Sequence, residues 1–217
     1  MKKTVLVDAR FVGSGSALGR YAENLLKHLL QLKLPFQIRP VLTTSYRANI
    51  PSELKKADPL WTEIPHYTFS EQLDLPYQLR QARPALIHYT HFNAPLFSPR
   101  PFLVTIHDLT ITKFRDPTHS LVRRASYHLL LRFLAKKASH LIAVSNATKD
   151  DIVKILKVPE GKVSVIYEGV EEKFRPQPEE AQLRFREKFR LYDPYILYVG
   201  QWRPHKNLPR LIEAFNY

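Results

Sequence analysis

The feature that most restricts the fold of this chain is an alternation. Short runs rich in β-branched and apolar residues recur along it, and most are followed by apolar residues spaced at three- and four-residue steps. Val5-Leu6-Val7 is such a run, bounded by Lys3 and Asp8, and residues 36–43, 85–88, 102–106, 141–144 and 163–166 read the same way. Runs this short and this apolar suit strands buried on both faces. Helical patterns fall between them: 17–33, where Leu18, Tyr21, Leu25, Leu29 and Leu32 make one apolar face, then 73–81 and 121–138. A further helix is expected to open on Ser145 as N-cap, to be favoured by Asp150 and Asp151, and to be ended by Pro159. Strands alternating with helices predict an α/β fold, a doubly wound Rossmann-like parallel sheet covered on both faces. Residues 46–70, spotted with proline and aspartate, carry no clear assignment.

Past Val170 the character changes. Residues 171–190 are charge-rich, hold two prolines and read as a linker with a polar helix. A new strand is expected over 195–199, running through Gly200 towards a helix that begins near Asn207. The expected organisation is a domain over 1–170, a linker over 171–194 and the incomplete opening of a second α/β unit over 195–217. A length of 217 residues suits one domain and part of another. No window approaches 18 uncharged apolar residues and Asp8 interrupts the first apolar run, so a soluble chain without signal peptide or membrane span is expected. The absence of cysteine excludes disulfides, thiolate metal sites and thiol nucleophiles, and fits a reducing compartment. Lys and Arg outnumber Asp and Glu by 33 to 20, a net +13 that permits nucleic acid, an anionic membrane or a phosphorylated ligand without choosing among them.

Three junctions between strand and helix carry candidate chemistry. In the first, Gly13, Gly15 and Gly19 lead into a helix whose amides can face an anionic phosphate. The spacing is one residue longer than a dinucleotide fingerprint, and Thr43-Thr44-Ser45 stands where that fingerprint wants an acid. A nicotinamide-binding protein is therefore the weaker reading, and a flexible turn the plain one. In the second, His88, His91 and His107, with Asp108, gather at strand ends. An imidazole there can donate to a substrate hydroxyl or steady developing negative charge; zinc lacks a third ligand, and a structural histidine is the plain alternative. In the third, Arg203 and Lys206 flank a helix start, which suits a diphosphate or else a solvated basic loop. Separately, Arg123, Arg124, Arg132, Lys136 and Lys137 stand without an acid beside Leu129, Phe133 and Leu134. This basic helix over 121–138 can lie on an anionic membrane surface, or cover the sheet with a solvated cationic face. No nucleic-acid motif accompanies the charge, so nucleic acid is not an expected partner.

Several segments also follow one another in a familiar order: Asp8-Ala9-Arg10-Phe11, Gly19-Arg20-Tyr21, Ile87-His88-Tyr89-Thr90-His91 and Val104-Thr105-Ile106-His107-Asp108-Leu109. Ala143-Val144-Ser145, Val165-Ile166-Tyr167-Glu168-Gly169-Val170, Tyr198-Val199-Gly200 and Pro204-His205-Lys206-Asn207-Leu208 complete the set. In these the chain resembles family 4 glycosyltransferases, most of all the mannosyl- and rhamnosyl-type members of envelope polysaccharide assembly. The resemblance implies the GT-B fold, two Rossmann-like domains facing a cleft, the first holding chiefly the acceptor and the second the donor. It implies retaining transfer of a hexose from a nucleotide-sugar to a glycan or lipid-linked acceptor, without metal or other cofactor. The expected location is the cytoplasm, at or near the inner membrane face.

Carried over residue by residue, the resemblance implies that Gly13 and Gly15 let the first loop approach the donor's phosphate and sugar. His107 would be the catalytic contact to the transferred sugar, with His91 and Asp108 binding substrate beside it. Lys206 would bind the donor diphosphate, with Arg203 standing in for an arginine that in the family often takes the place of Gln201. The family's two glutamates, with seven residues between them, are matched in spacing by Glu171 with Glu179 and by Glu179 with Glu187. Both pairs lie in the polar linker before Gly200 and are chance matches. The expectation is a chain with little transferase activity alone, its C-terminal donor half missing. The alternative is a non-catalytic acceptor- or membrane-binding module, or half of a split enzyme.

Overall fold

The computed structural model describes residues 2–113 and 121–216, and at 121–124 and 126 the backbone alone. The chain separates into two compact units, 1–168 and 169–217. The first runs β1 (Thr4–Asp8), α1 (Ala17–Gln31), β2 (Gln37–Thr43), α2 (Ser52–Lys55), β3 (Leu60–Thr62), α3 (Phe69–Gln81), β4 (Leu86–Tyr89) and β5 (Phe102–Ile106). It continues with α4 (Thr110–Lys113), α5 (Leu121–Lys137), β6 (His140–Ala143), α6 (Asn146–Leu156) and β7 (Val163–Val165). The strands form one sheet in the order β3-β2-β1-β4-β5-β6-β7, each pair parallel, so the expected doubly wound α/β fold is the observed one.

The strand order reverses at β1, and that decides where the helices lie. Right-handed crossovers that step from β1 to β2 to β3 fall on one face, and those that step from β3 to β4 and from β5 onward fall on the other. The core divides accordingly. Ala22, Leu26 and Leu54, from α1 and α2, pack with Val7 and Leu42. Leu75, Leu79, Leu131, Leu134, Ile152 and Leu156, from α3, α5 and α6, pack with Leu6 and Leu141. The consecutive residues Leu6 and Val7 thus serve opposite layers, as strand geometry requires. Each fully buried leucine contributes on the order of 2 kcal/mol.

Local chemistry explains the helix ends. The Ser145 hydroxyl accepts from the Thr148 amide at 3.1 Å and opens α6 as expected. The helix closes at Leu156 with Lys157 in the left-handed region (φ 55°), so Pro159 begins the next turn and does not end the helix. The buried stripe of α1 also differs from expectation: Gly19, Ala22 and Leu26 are buried, whereas Leu32 is exposed. Gly19 lies innermost because the loop passes close over it; a Cβ there would stand 2.3 Å from the Phe11 carbonyl oxygen. Within the unassigned 46–70 stretch lie α2, β3 and the Thr68 cap whose hydroxyl accepts from the Glu71 amide, so α3 starts at Phe69 and not at Leu73.

The second unit contains α7 (Glu179–Phe189), a 3₁₀ turn over Pro204–Lys206 and α8 (Leu208–Phe215). Residues 195–199 are not a strand, against expectation. Among the described residues of this unit there is no strand to accept their amides, and all five side chains are more than a third exposed. No helix among the described residues is long and apolar enough to cross a membrane.

Candidate active site

Parallel pairing puts Asp8 opposite Tyr89, and Tyr89 opposite Val104, so β1 and β4 end at one level and β5 runs two residues further, to Ile106. The residues just beyond those ends rise into the crevice at the point where strand order reverses, where ligands of open α/β sheets bind. They are Arg10 after β1, Thr90 and His91 after β4, and His107 and Asp108 after β5.

His107 is held on three sides. Its Nε2 contacts the Thr90 carbonyl oxygen at 2.9 Å and its Nδ1 contacts a Glu168 carboxylate oxygen at 2.9 Å. Tyr21 of α1 meets the ring edge-on, with centroids 4.7 Å apart. Thr90 is itself fixed by a 2.7 Å bond from its hydroxyl to the Asp8 carbonyl, and the His107 carbonyl accepts from Thr148. Both ring nitrogens face oxygen acceptors, so both contacts are complete when each nitrogen carries a hydrogen. Glu168, the last residue of the first unit, has a half-exposed side chain, so the Nδ1 side of the ring opens towards solvent.

Beneath the rim lies a buried ionic group. Arg10, 1% exposed, donates to both Asp8 carboxylate oxygens and, at 2.7 Å, to Glu71 of α3. Glu71, fully buried, also accepts from Asn93 and from the Tyr67 amide, and its carboxylate lies 3.3 Å from His66 Nδ1. Burial pushes the carboxyls of Asp8 and Glu71 up, but the cation and hydrogen bonds outweigh it and hold both below their ordinary values. The group ties the 64–71 segment to β1. Phe11 stacks on His66 at 3.8 Å and the Tyr67 hydroxyl lies 3.5 Å from His91 Nε2.

His91 shares the rim with His107, ring centroids 6.1 Å apart, and its buried Nδ1 has no hydrogen-bond partner among the described residues. Burial, with the neighbouring His107 and His66, pushes its pKa down to about 3. His88 lies lower, bonded through Nε2 to the Thr105 hydroxyl, and burial pushes it down to about 4. Both are therefore neutral imidazoles at ordinary pH. Of the residues expected from sequence, His91 and His107 come together here. Asp108 turns aside, its carboxylate accepting from the Thr110 amide at the start of α4. Gly13 and Gly15 carry φ of 84° and 73°; a Cβ at Gly13 would stand 2.9 Å from Tyr46 Cβ, whereas Gly15 faces open space. In the second unit Arg203 and Lys206 are exposed on the 3₁₀ turn, Lys206 donating its amide to the Arg203 carbonyl. Of the basic helix, the side chains of Arg123 and Arg124 lie outside the described residues. Among the described residues no group of three or more His, Cys, Asp or Glu is placed to hold a metal ion.

Tyr21, Thr90, Glu71 and Glu168 were not singled out by sequence for this site. Tyr21, Thr90 and Glu168 stood inside quoted segments, whereas Glu71 had no signal, since its partner Arg10 is 61 residues away.

A sequence model of the family described as Glycosyltransferase Family 4 matches residues 18–174. The chain is similar to the O-antigen chain mannosyltransferase RfbU of Salmonella typhimurium, 29% identical over 165 residues, which cover 76% of this chain and 42% of that protein. It is also similar to the O-antigen chain mannosyltransferase B of Escherichia coli, 22% identical, covering 92% of this chain and 56% of that one. Its fold is similar to that of Anabaena Alr3699/HepE in complex with UDP, with a TM-score of 0.66 at 16% identity, over 98% of this chain and 57% of the other. A glycosyltransferase of Rickettsia africae gives a TM-score of 0.53 at 17% identity, over 99% and 57% of the two chains. The chain spans about half the length of the curated relatives it matches.

Proposed function

The chain belongs to glycosyltransferase family 4, and from that premise we propose that it forms the acceptor-side part of a retaining GT-B hexosyltransferase. The reaction is transfer of a hexose from a nucleotide-sugar to a glycan or lipid-linked acceptor in cell-envelope polysaccharide synthesis, at the cytoplasmic face of the membrane. The relatives named as O-antigen mannosyltransferases and the neighbour solved with UDP support this direction.

The observation that carries the proposal is the setting of His107, clamped at the strand-reversal crevice with its Nδ1 edge towards the open side. A sugar oxygen taking the place of Glu168 there would receive a hydrogen bond from a ring whose orientation is already fixed by Thr90 and Tyr21. Such a donor strengthens as charge develops in the transition state. The neutral His91 and the ring of Tyr67 form a wall against which a sugar or acceptor face can lie. The loop of Gly13 and Gly15 is assigned to the approach of the donor's phosphate. Arg203 and Lys206 are assigned to the departing diphosphate, as side-chain cations serving in place of a metal. Asp108, engaged with the Thr110 amide, is assigned to shaping the loop after His107.

The test is transfer of label from GDP-mannose or UDP-glucose to acceptor extracted from membranes, by the gene product that contains these residues, with and without a chelator. Transfer that survives chelation is expected. Binding of NAD(P) with no transfer from any nucleotide-hexose would refute the assignment. Because the described residues of the second unit contain no strand, the 217-residue chain by itself is expected to turn over little; robust turnover by it would refute that clause.

A further inference from the structure

Tyr67 holds a backbone conformation that its side chain disfavours. Its φ is 62°, in the left-handed region where a Cβ crowds the backbone and glycine is spared. Among the described residues five other non-glycine residues have positive φ, Asp58, Arg83, Lys157, Arg190 and Asn207, and all of them are polar. Lys157 and Arg190 close α6 and α7, an ordinary place for this conformation, and Arg83 lies just past the end of α3. Tyr67 instead precedes a helix, one residue before Thr68, the N-cap of α3. The fold gains little from its ring, since 65% of the residue is exposed. A strained residue whose side chain stays in solvent beside a candidate site points to a use there.

The conformation is held by Glu71. Thr68 and Glu71 have the spacing of a capping box, and the Thr68 hydroxyl accepts from the Glu71 amide as such a box requires. The glutamate side chain, however, reaches past the Thr68 amide; its Oε2 accepts from the Tyr67 amide at 2.6 Å. Its Oε1 is fixed by Arg10 at 2.7 Å and by Asn93 at 2.9 Å, so the carboxylate has one place. The base beneath the ring is as well defined. Phe11 stacks on the His66 ring and meets the His91 ring edge-on, with centroids 5.7 Å apart. The Tyr67 ring is tilted 48° from His66, and its hydroxyl reaches His91, the neighbour of His107. A flat apolar face is thus ordered before any ligand arrives, which lowers the cost of binding to it.

We propose that Tyr67 is the ring on which a hexose of the glycan acceptor stacks, and that it thereby sets which acceptors are taken. Tyr67 meets His91 and His91 meets His107, so the ring stands one side chain further along the rim than the residue assigned to the transferred sugar. The C–H bonds on one face of a pyranose suit the negative face of an aromatic ring. The hydroxyl, 3.5 Å from His91, is at the long limit of a hydrogen bond, so the ring and not the hydroxyl carries the role. The proposal deepens the transferase reading and rests on it only in taking the sugar to be an acceptor's. Sugar binding needs no turnover, so the two fail separately.

Saturation-transfer NMR of the 217-residue chain with mannobiose, cellobiose and lactose as probes tests it. Saturation of the ring C–H protons of at least one disaccharide is expected in the parent and in Tyr67→Phe, with a fall of at least about fivefold in Tyr67→Ala. Tyr77→Ala removes an equally exposed ring from α3 and should leave the signal unchanged. In the gene product that contains these residues, Tyr67→Ala should raise KM for acceptor extracted from membranes about tenfold, with donor KM within about twofold. Tyr67→Gly should lose the sugar as alanine does, yet show a urea midpoint no lower than the parent's, because glycine adopts φ 62° without strain. The proposal is overturned by absence of saturation for all three disaccharides, by an undiminished signal in Tyr67→Ala, or by an equal loss in Tyr77→Ala. A change in donor KM alone would overturn it in favour of the transferred sugar, and a lowered midpoint in Tyr67→Gly in favour of a role in the fold.

Discussion

Replacing Arg10 by methionine keeps the length of the side chain and removes its charge. In the folded chain the carboxylates of Asp8 and Glu71, with side chains 8% and 0% exposed, would then share one buried space without their cation. Breaking a buried ionic group by deleting one member costs about 3–5 kcal/mol. Glu71 keeps its bonds from Asn93 and the Tyr67 amide, so the lower end, about 3 kcal/mol, is expected at pH 7. The pH dependence identifies the cause. In the parent both carboxyls are held below their ordinary values, so their stabilisation is complete above the carboxylate range and is lost as pH falls through the lowered values. In Arg10→Met burial is opposed only by the hydrogen bonds that remain, and with the two carboxyls sharing one buried space at least one of them is raised, so the folded variant takes up a proton that its unfolded chain still refuses. The variant therefore regains stability between neutrality and about pH 5. Urea unfolding followed by Trp61 fluorescence reads this, with Trp202→Phe in both proteins so that only the first unit reports. His88 and His91 titrate in both and largely cancel in the difference. A deficit under about 1 kcal/mol at pH 7, or one that grows on acidification, would refute the ionic account.

Three further outcomes follow from the same geometry. Alanine at Gly15 should cost about 1 kcal/mol for its positive φ alone, alanine at Gly13 more because of Tyr46, and alanine at Gly19 most, against the Phe11 carbonyl; urea midpoints give the order. Folding stability should be complete above pH 6.5 and fall towards pH 4, because the unfolded chain binds protons that folded His88 and His91 refuse. His88 alone accounts for about 3 kcal/mol by pH 4, and His88→Gln should flatten that part of the slope. Lys206→Ala should raise KM for the donor several-fold in a labelled-sugar assay; an unchanged KM would remove Lys206 from the diphosphate site.

Strands buried on both faces were the most legible part of the sequence. Residues 102–106 were read with the bounds that the structure gives, because an apolar run between Pro101 and His107 has few other uses. The Ser145 cap was legible because its chemistry is local. What failed was non-local. β3 is three residues long and exists only by pairing with β2. The 195–199 run has strand composition but no neighbour among the described residues to complete it. Leucine spacing placed the buried face of α1 slightly off, since the close approach of a loop selected Gly19 over any larger side chain. At the site, His91 and His107 were legible from strand ends, whereas the buried anchor Glu71 and the contact of Glu168 with His107 depend on tertiary placement.

The central claim is that His107 meets the transferred sugar where charge develops. Steady-state transfer kinetics of His107→Ala, in the gene product that contains these residues, test it most directly. The account predicts a fall in kcat of about a hundredfold or more, with donor KM within a few-fold of the parent and thermal unfolding unchanged. A kcat within about tenfold of the parent would contradict it.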